Sequence, residues 1–137
     1  MPFLTQFSLT FVNGRDAVSN KIPVGWKYEK TGELVRIPSG FESDGASIPS
    51  FLWPKVKIPF TNIYLGLGHP FDSEHRREAH LHDYLCRCGP DIGIKRSKAD
   101  RMFLAALLES DRKPRWKCYE FYAGVRIGAV LGIGVPE

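Results

Sequence analysis

The stretch LHDYLCRCG, residues 81–89, places a histidine beside an aspartate in a segment whose pattern predicts a helix. Residues three, four or seven apart share a helix face, so His82 lies on one side with His75 and Glu78. Asp83 points about 100° round the helix from His82. The spacing is not H-E-x-x-H, which excludes that type of zinc-protease site. His82 is therefore either a candidate general base or a buried histidine with a structural role.

Three further segments supply candidate residues, and each has a simple structural explanation. Asp100 lies three residues after Ser97, where a capping box at a helix start explains an acid. Asp44, in SDGAS, is explained as a turn aspartate before a glycine. The glycines of YLGLG, residues 64–68, are explained by a backbone turn.

The order of these segments along the chain fits one mechanism. His82 would activate a water molecule, and Asp100 on a facing helix would fix the imidazole tautomer and stabilise the imidazolium. Asp83 and loop carbonyl groups offer hard oxygen ligands to Ca²⁺. The cation would stabilise the developing oxyanion. The alternative is that the same side chains form a buried polar network that fixes the fold.

The predicted secondary structure that must position these residues changes from strands and loops to helices near residue 70. In the first half, FSLTFV predicts a strand and WKYEKTGELVRIP predicts a hairpin that turns at Thr31–Gly32. SDGASIPSFLWPKVKIPF predicts a loop laid over the core and anchored by apolar residues such as Trp53.

The second half predicts three helices. The first begins at a Ser73 cap and ends at Gly89–Pro90, the second begins at Ser97, and the third follows Pro114. We expect five side chains to be largely buried between the last two helices: Phe103, Leu107, Trp116, Tyr119 and Tyr122. The predicted fold is α+β, with a small N-terminal antiparallel β region and a long Pro/Gly loop packed on three C-terminal helices. We expect one domain over residues 1–137.

Composition narrows the class of protein. The chain has 137 residues, a net charge of +4 and three cysteines without a C-x-x-C motif. The odd count argues against a disulfide framework and favours a reducing compartment. Neither a signal peptide nor a transmembrane segment is expected. Basic residues are scattered among acids without aromatic repeats, which argues against a nucleic-acid binder.

Four segments resemble the domain-of-unknown-function 1353 family of tailed phages and prophages. They are DGASIPSFLW (44–53), HDYLC (82–86), RSKADRMF (96–103) and YAGVRIG (122–128). Cys86 stands where the family usually has tyrosine. The match covers about residues 20 to 130. The resemblance implies a phage or prophage origin and supplies no established activity.

The order YLGLG, HDYLC and KAD is also similar to phospholipase A2, especially its disulfide-free viral form. That resemblance implies His82 as the base, Asp100 as its partner and Asp83 as a Ca²⁺ ligand. It further implies that Gly66 and Gly68 bind the ion through their carbonyl groups.

Two functions therefore follow as expectations. The first is a small phage-derived protein with a His/Asp cleft, acting as a calcium-assisted hydrolase on host envelope lipid. Asp44, Ser47 and Tyr84 would then support the cleft. The second is a non-enzymatic virion or tail component in which His82, Asp83 and Asp100 form a buried polar network. We expect the chain to be made in the host cytoplasm, with other phage proteins or envelope lipid as its partners.

Overall fold

Antiparallel strand pairs form the N-terminal part of the computed structural model, which describes residues 3, 9–12, 17–43, 56–57, 59–61, 64–65, 76–110 and 115–131. One sheet has the order β1 (Leu9–Val12), β2 (Ala17–Asn20), β5 (Glu42–Ser43). The chain between β2 and β5 forms a hairpin of β3 (Val24–Tyr28) and β4 (Glu33–Ile37). A third pair joins β6 (Val56–Lys57) and β7 (Tyr64–Leu65).

The β3–β4 hairpin forms where the sequence predicts it. Trp26 pairs with Val35 across the ladder, and Gly32 in the turn has a φ of 79°, a conformation that favours glycine. Side chains alternate between the two faces of a strand, so one face of the hairpin can be wholly apolar. The buried positions on that face are Val24, Trp26, Tyr28, Val35 and Ile37.

The first helix, α1 (Arg76–Cys88), ends at the predicted Gly89–Pro90 stop and continues into a 3₁₀ turn, Gly89–Ile92. The Ile94 N–H donates to the Gly89 carbonyl at 2.8 Å. A Cβ atom on Gly89 would lie 2.8 Å from the Ile94 carbonyl oxygen, so this turn requires glycine. The predicted Ser73 cap lies outside the described residues.

The second helix, α2 (Arg96–Ser110), begins earlier than predicted. The Ala99 N–H already donates to the Lys95 carbonyl at 2.9 Å, so Ser97 lies inside the first turn. The predicted capping box of Ser97 and Asp100 is therefore wrong. Asp100 is wholly buried and makes charged contacts with three helices instead of capping its own.

Helix α2 packs on both sides and so forms the centre of the helical layer. Its Ala99, Met102 and Ala106 face the hairpin together with Leu81 and Leu85 of α1. A second cluster joins α2 to α3 (Arg115–Val130), and its buried members are Phe103, Leu107, Cys118, Phe121 and Val125.

The face that α3 presents to α2 differs from the prediction. Phe103 and Leu107 are buried as expected and Tyr122 is half-buried, but Trp116 and Tyr119 are each 48% exposed. Their predicted burial was wrong because Cys118, Phe121 and Val125 fill the contact with α2. The outer side of the helix consequently shows large apolar side chains at helical spacing: Trp116, Tyr119, Ile127 and Val130.

The α+β prediction is confirmed by these strands and three helices. Residues 44–55, which hold Trp53 and most of the Pro/Gly loop, lie outside the described residues. The single-domain assignment stays a prediction. Within the described ranges, each helix is too short or too polar to cross a membrane.

Candidate functional site

Asp100 on α2 is the centre of a buried group of charges. Its Oδ1 atom lies 2.5 Å from His82 Nε2 of α1 and 3.0 Å from Arg96 Nε. Its Oδ2 atom accepts a hydrogen bond from Arg126 Nη1 of α3 at 2.8 Å. We call these four residues the Asp100 network. It joins all three helices at one carboxylate.

The two arginines differ in their surroundings. The Arg96 side chain is wholly buried and also donates through Nη2 to the Val125 carbonyl of α3 at 3.2 Å. The Arg126 side chain remains 29% exposed. Two guanidinium groups keep their charge at any ordinary pH, so Asp100 lies in a strongly positive environment. The pKa of Asp100 is lowered, because its bonds to His82 and Arg96 outweigh the effect of burial.

His82 is enclosed by apolar and polarisable groups. Its ring lies 4.7 Å from the ring of Phe103, between centroids, and Cys86 follows one helical turn later. The Cys86 sulfur is 3.4 Å from Nε2 and 4.0 Å from Nδ1. Burial alone would lower the pKa of His82, but the electrostatic interactions with Cys86 and Asp100 and the hydrogen bonds to both raise it to about 9. The ring is therefore an imidazolium at neutral pH.

His82, Cys86 and Asp100 place one possible ligand atom each within 4.8 Å of one another. Nitrogen and sulfur donors suit a transition metal, whereas Ca²⁺ prefers oxygen. This group of side chains therefore does not fit the predicted calcium ion, which stays a prediction for Asp83 and the glycine loop.

The other predicted site residues lie apart from the Asp100 network. Asp83 is buried, and its Oδ2 lies 3.6 Å from Arg87 Nη2 one turn later. Tyr84 packs edge-on against Phe41, with 5.2 Å between centroids, and burial raises the pKa of its hydroxyl. Four predicted residues lie outside the described part of the chain: Asp44, Ser47, Gly66 and Gly68.

A second buried histidine, His80, was missed by the sequence reasoning. Its Nδ1 lies 2.6 Å from Ser43 Oγ of β5, and its Nε2 lies 2.8 Å from Asn20 Oδ1 of β2. The amide nitrogen of Asn20 donates to the carbonyls of Ile22 and Pro38. The atom that faces His80 is therefore the amide oxygen, which must accept a hydrogen bond from the ring. In the neutral ring the hydrogen is therefore on Nε2, and Nδ1 accepts from Ser43 Oγ.

The surroundings of His80 agree with that tautomer. Burial, and then the positive charge of Arg87, lower the pKa of His80 to about 4. His80 ties α1 to the first sheet, while His82 ties α1 to α2 and α3. Asn20 lies 60 residues from His80 and Ser43 lies 37 residues from it, so only the tertiary structure reveals these bonds.

Arg96, Arg126 and Cys86 were not predicted as site residues. A signal was present, since RSKADRMF and YAGVRIG contain both arginines and HDYLC contains the cysteine. The sequence could not show that these side chains meet in space, because Arg126 lies 26 residues from Asp100.

Comparison with known proteins places the chain in one family. A family model described as a protein of unknown function, DUF1353, matches residues 21–125. No curated protein and no solved structure matches the chain. The matched segment contains three of the four residues of the Asp100 network. The fourth, Arg126, directly follows its end.

Proposed function

Because the chain belongs to the DUF1353 family, whose function is unknown, we propose its role from the site: a non-enzymatic component of a phage particle. The Asp100 network would fix the three helices that such a component presents to its neighbours. One observation carries the proposal. A wholly buried carboxylate is shared by charged groups from α1, α2 and α3.

The state of His82 supports a structural role over a catalytic one. A general base must be unprotonated at the working pH, and a pKa of about 9 leaves His82 mostly protonated at pH 7. Its side chain is also only 3% exposed. A protonated, enclosed histidine is suited to hold a carboxylate rather than to accept a proton from water.

The framework role is supported by the motifs that carry the family resemblance. HDYLC contributes His82, RSKADRMF contributes Arg96 and Asp100, and YAGVRIG contributes Arg126. Three of the four motif segments therefore meet at one point. Segments that meet at a fully bonded buried ion cluster are suited to hold the helices in one arrangement.

The test compares two variants that each replace a positively charged side chain of α2 with methionine. Arg96→Met leaves Asp100 with less charge compensation inside the protein, so it should cost about 3–5 kcal/mol of unfolding free energy. Lys98→Met removes only the partly exposed ion pair with Glu33, so the loss of unfolding free energy should be much smaller. Urea denaturation of both variants measures the difference. Equal, small losses would contradict a framework role for the network.

Membership of the particle is tested separately. Mass spectrometry of purified particles of the phage that encodes the chain should detect it at a fixed ratio to the other particle proteins. Its absence from particles that are otherwise complete would contradict the structural role.

A second candidate is the calcium-assisted hydrolase on envelope lipid, and one observation favours it. Asp100 binds Nε2 of His82, so Nδ1, which lies 4.0 Å from the Cys86 sulfur, would be left to orient a water molecule. Lipid hydrolysis by the wild type that is abolished by chelator and by His82→Ala, in a variant that stays folded, would establish this candidate. We expect no hydrolysis and an early-melting His82→Ala protein.

A further inference from the structure

A groove lies between the tip of the β3–β4 hairpin and the outer side of α2, away from the Asp100 network. Its volume is about 390 Å³. Within the described part of the chain it is lined by Tyr28, Lys30, Arg101, Leu104, Ala105, Leu108 and Glu109. A site of this size that combines an apolar floor with a few polar groups is typical of small-molecule binding.

The charges of the groove are not used by the fold. Lys30 and Arg101 are both exposed, and no ion pair joins either to another described residue. Guanidinium and ammonium groups bind carboxylates through charge-assisted hydrogen bonds. The groove can therefore hold an anionic head group.

The floor between the polar groups is apolar. Leu104, Ala105 and Leu108 follow one another along the same side of α2, and the ring of Tyr28 forms the facing wall. Tyr28 is itself fixed by stacking on buried Trp26, with 5.7 Å between ring centroids. These surfaces fit an alkyl chain rather than a second charged group.

The groove also contains a poorly satisfied acceptor. Burial and then Glu29 raise the pKa of the Glu109 carboxyl, although its interaction with the Trp26 indole N–H lowers it. Glu109 Oε2 is buried and makes no well-formed hydrogen bond within the described part of the chain. Such an atom carries a desolvation penalty that a ligand can remove by supplying a donor. Arg101 and Glu109 are eight residues apart, which is about 12 Å along the axis of α2.

We propose that this groove binds a medium-chain carboxylate. The head group would bind to Arg101 and Lys30, and the chain would lie over Leu104 and Leu108. A terminal hydroxyl would donate to Glu109. This site is independent of the Asp100 network and of the proposed structural role.

The test is calorimetry of the full chain with four ten-carbon probes below their micelle concentrations. Decanoate should bind saturably, 10-hydroxydecanoate should bind more tightly, and decanol and decylammonium should bind much more weakly. Arg101→Glu should weaken decanoate by about tenfold or more, because a hydrogen bond between charged groups is lost and a repulsion is added.

The matched control is Arg115→Glu, which makes the same change in net charge at an exposed position of α3. It should leave decanoate binding unchanged. Equal weakening by both variants, tight binding of decylammonium, or no decanoate binding would each overturn the proposal. If 10-hydroxydecanoate binds no better than decanoate, the assignment of Glu109 is wrong.

Discussion

His80 and His82 lie two residues apart on α1, and their surroundings hold them in opposite protonation states. His80 is neutral because burial and Arg87 lower its pKa to about 4. His82 is charged because Cys86 and Asp100 outweigh burial and raise its pKa to about 9. Two nearby residues on one helix thus differ in charge, because their side chains enter different layers of the protein.

These two shifts predict a stability maximum near pH 6.5, the ordinary pKa of histidine. The raised pKa of His82 contributes stability that is fully present below pH 6.5 and is lost as the pH rises through 9. The lowered pKa of His80 contributes stability that is present above pH 6.5 and is lost as the pH falls through 4. Each shift corresponds to about 3 kcal/mol. Urea denaturation across this range measures both limbs.

Two variants show which histidine causes the loss of stability on the acid side and which causes it on the alkaline side. His82→Gln should flatten the alkaline limb, and His80→Gln should flatten the acid limb, because glutamine does not titrate. If the alkaline loss of stability persists in His82→Gln, then another group is responsible and His82 is not held as the imidazolium.

At the scale of elements, α3 illustrates why an apolar pattern does not fix a buried face. Aromatic residues lie on several sides of this helix, so spacing alone allowed two orientations. The structure chooses the side with Phe121 and Val125, whose neighbours Phe103 and Leu107 complete a cluster with α2. The side with Trp116 is left outside.

This orientation predicts that removing the smaller aromatic side chain of α3 costs more stability than removing the larger one. Phe121 is 2% exposed, so Phe121→Ala should cost about 3–5 kcal/mol of unfolding free energy. Trp116→Ala removes a larger but half-exposed side chain and should cost less than about 1 kcal/mol. Thermal unfolding of the two variants decides the matter. A Trp116→Ala protein as unstable as Phe121→Ala would mean that α3 packs through its other side.

For the whole molecule, local signals and long-range contacts explain what the sequence could predict. The hairpin was predictable because the turn at Thr31–Gly32 and the alternation beside it are local. The His82–Asp100 contact was predictable because two helices with a short connection must lie side by side. The two arginines of the network and the bonds of His80 were not, because they join distant elements and leave no mark in the spacing of residues.

Asp100 shows a different kind of limit. A capping box explained this acid locally, and the tertiary contacts replaced that explanation. The sequence allowed two explanations of Asp100, a helix cap and a partner of His82. The positions of Arg96 and Arg126 distinguish them. Local motifs therefore give alternatives that the packing of whole helices must resolve.

The outer side of α3 makes the behaviour of concentrated protein depend on the kind of salt. Sulfate is excluded from protein surfaces and so favours any contact that removes apolar groups from water. Val130, 81% exposed within a row of apolar residues, should contribute more to this response than Leu34 on β4, which is 53% exposed. We expect Val130→Lys to raise the ammonium sulfate concentration needed for precipitation more than Leu34→Lys does, as turbidity curves would measure. Crystallisation screens for this chain should therefore be most productive in high-sulfate conditions.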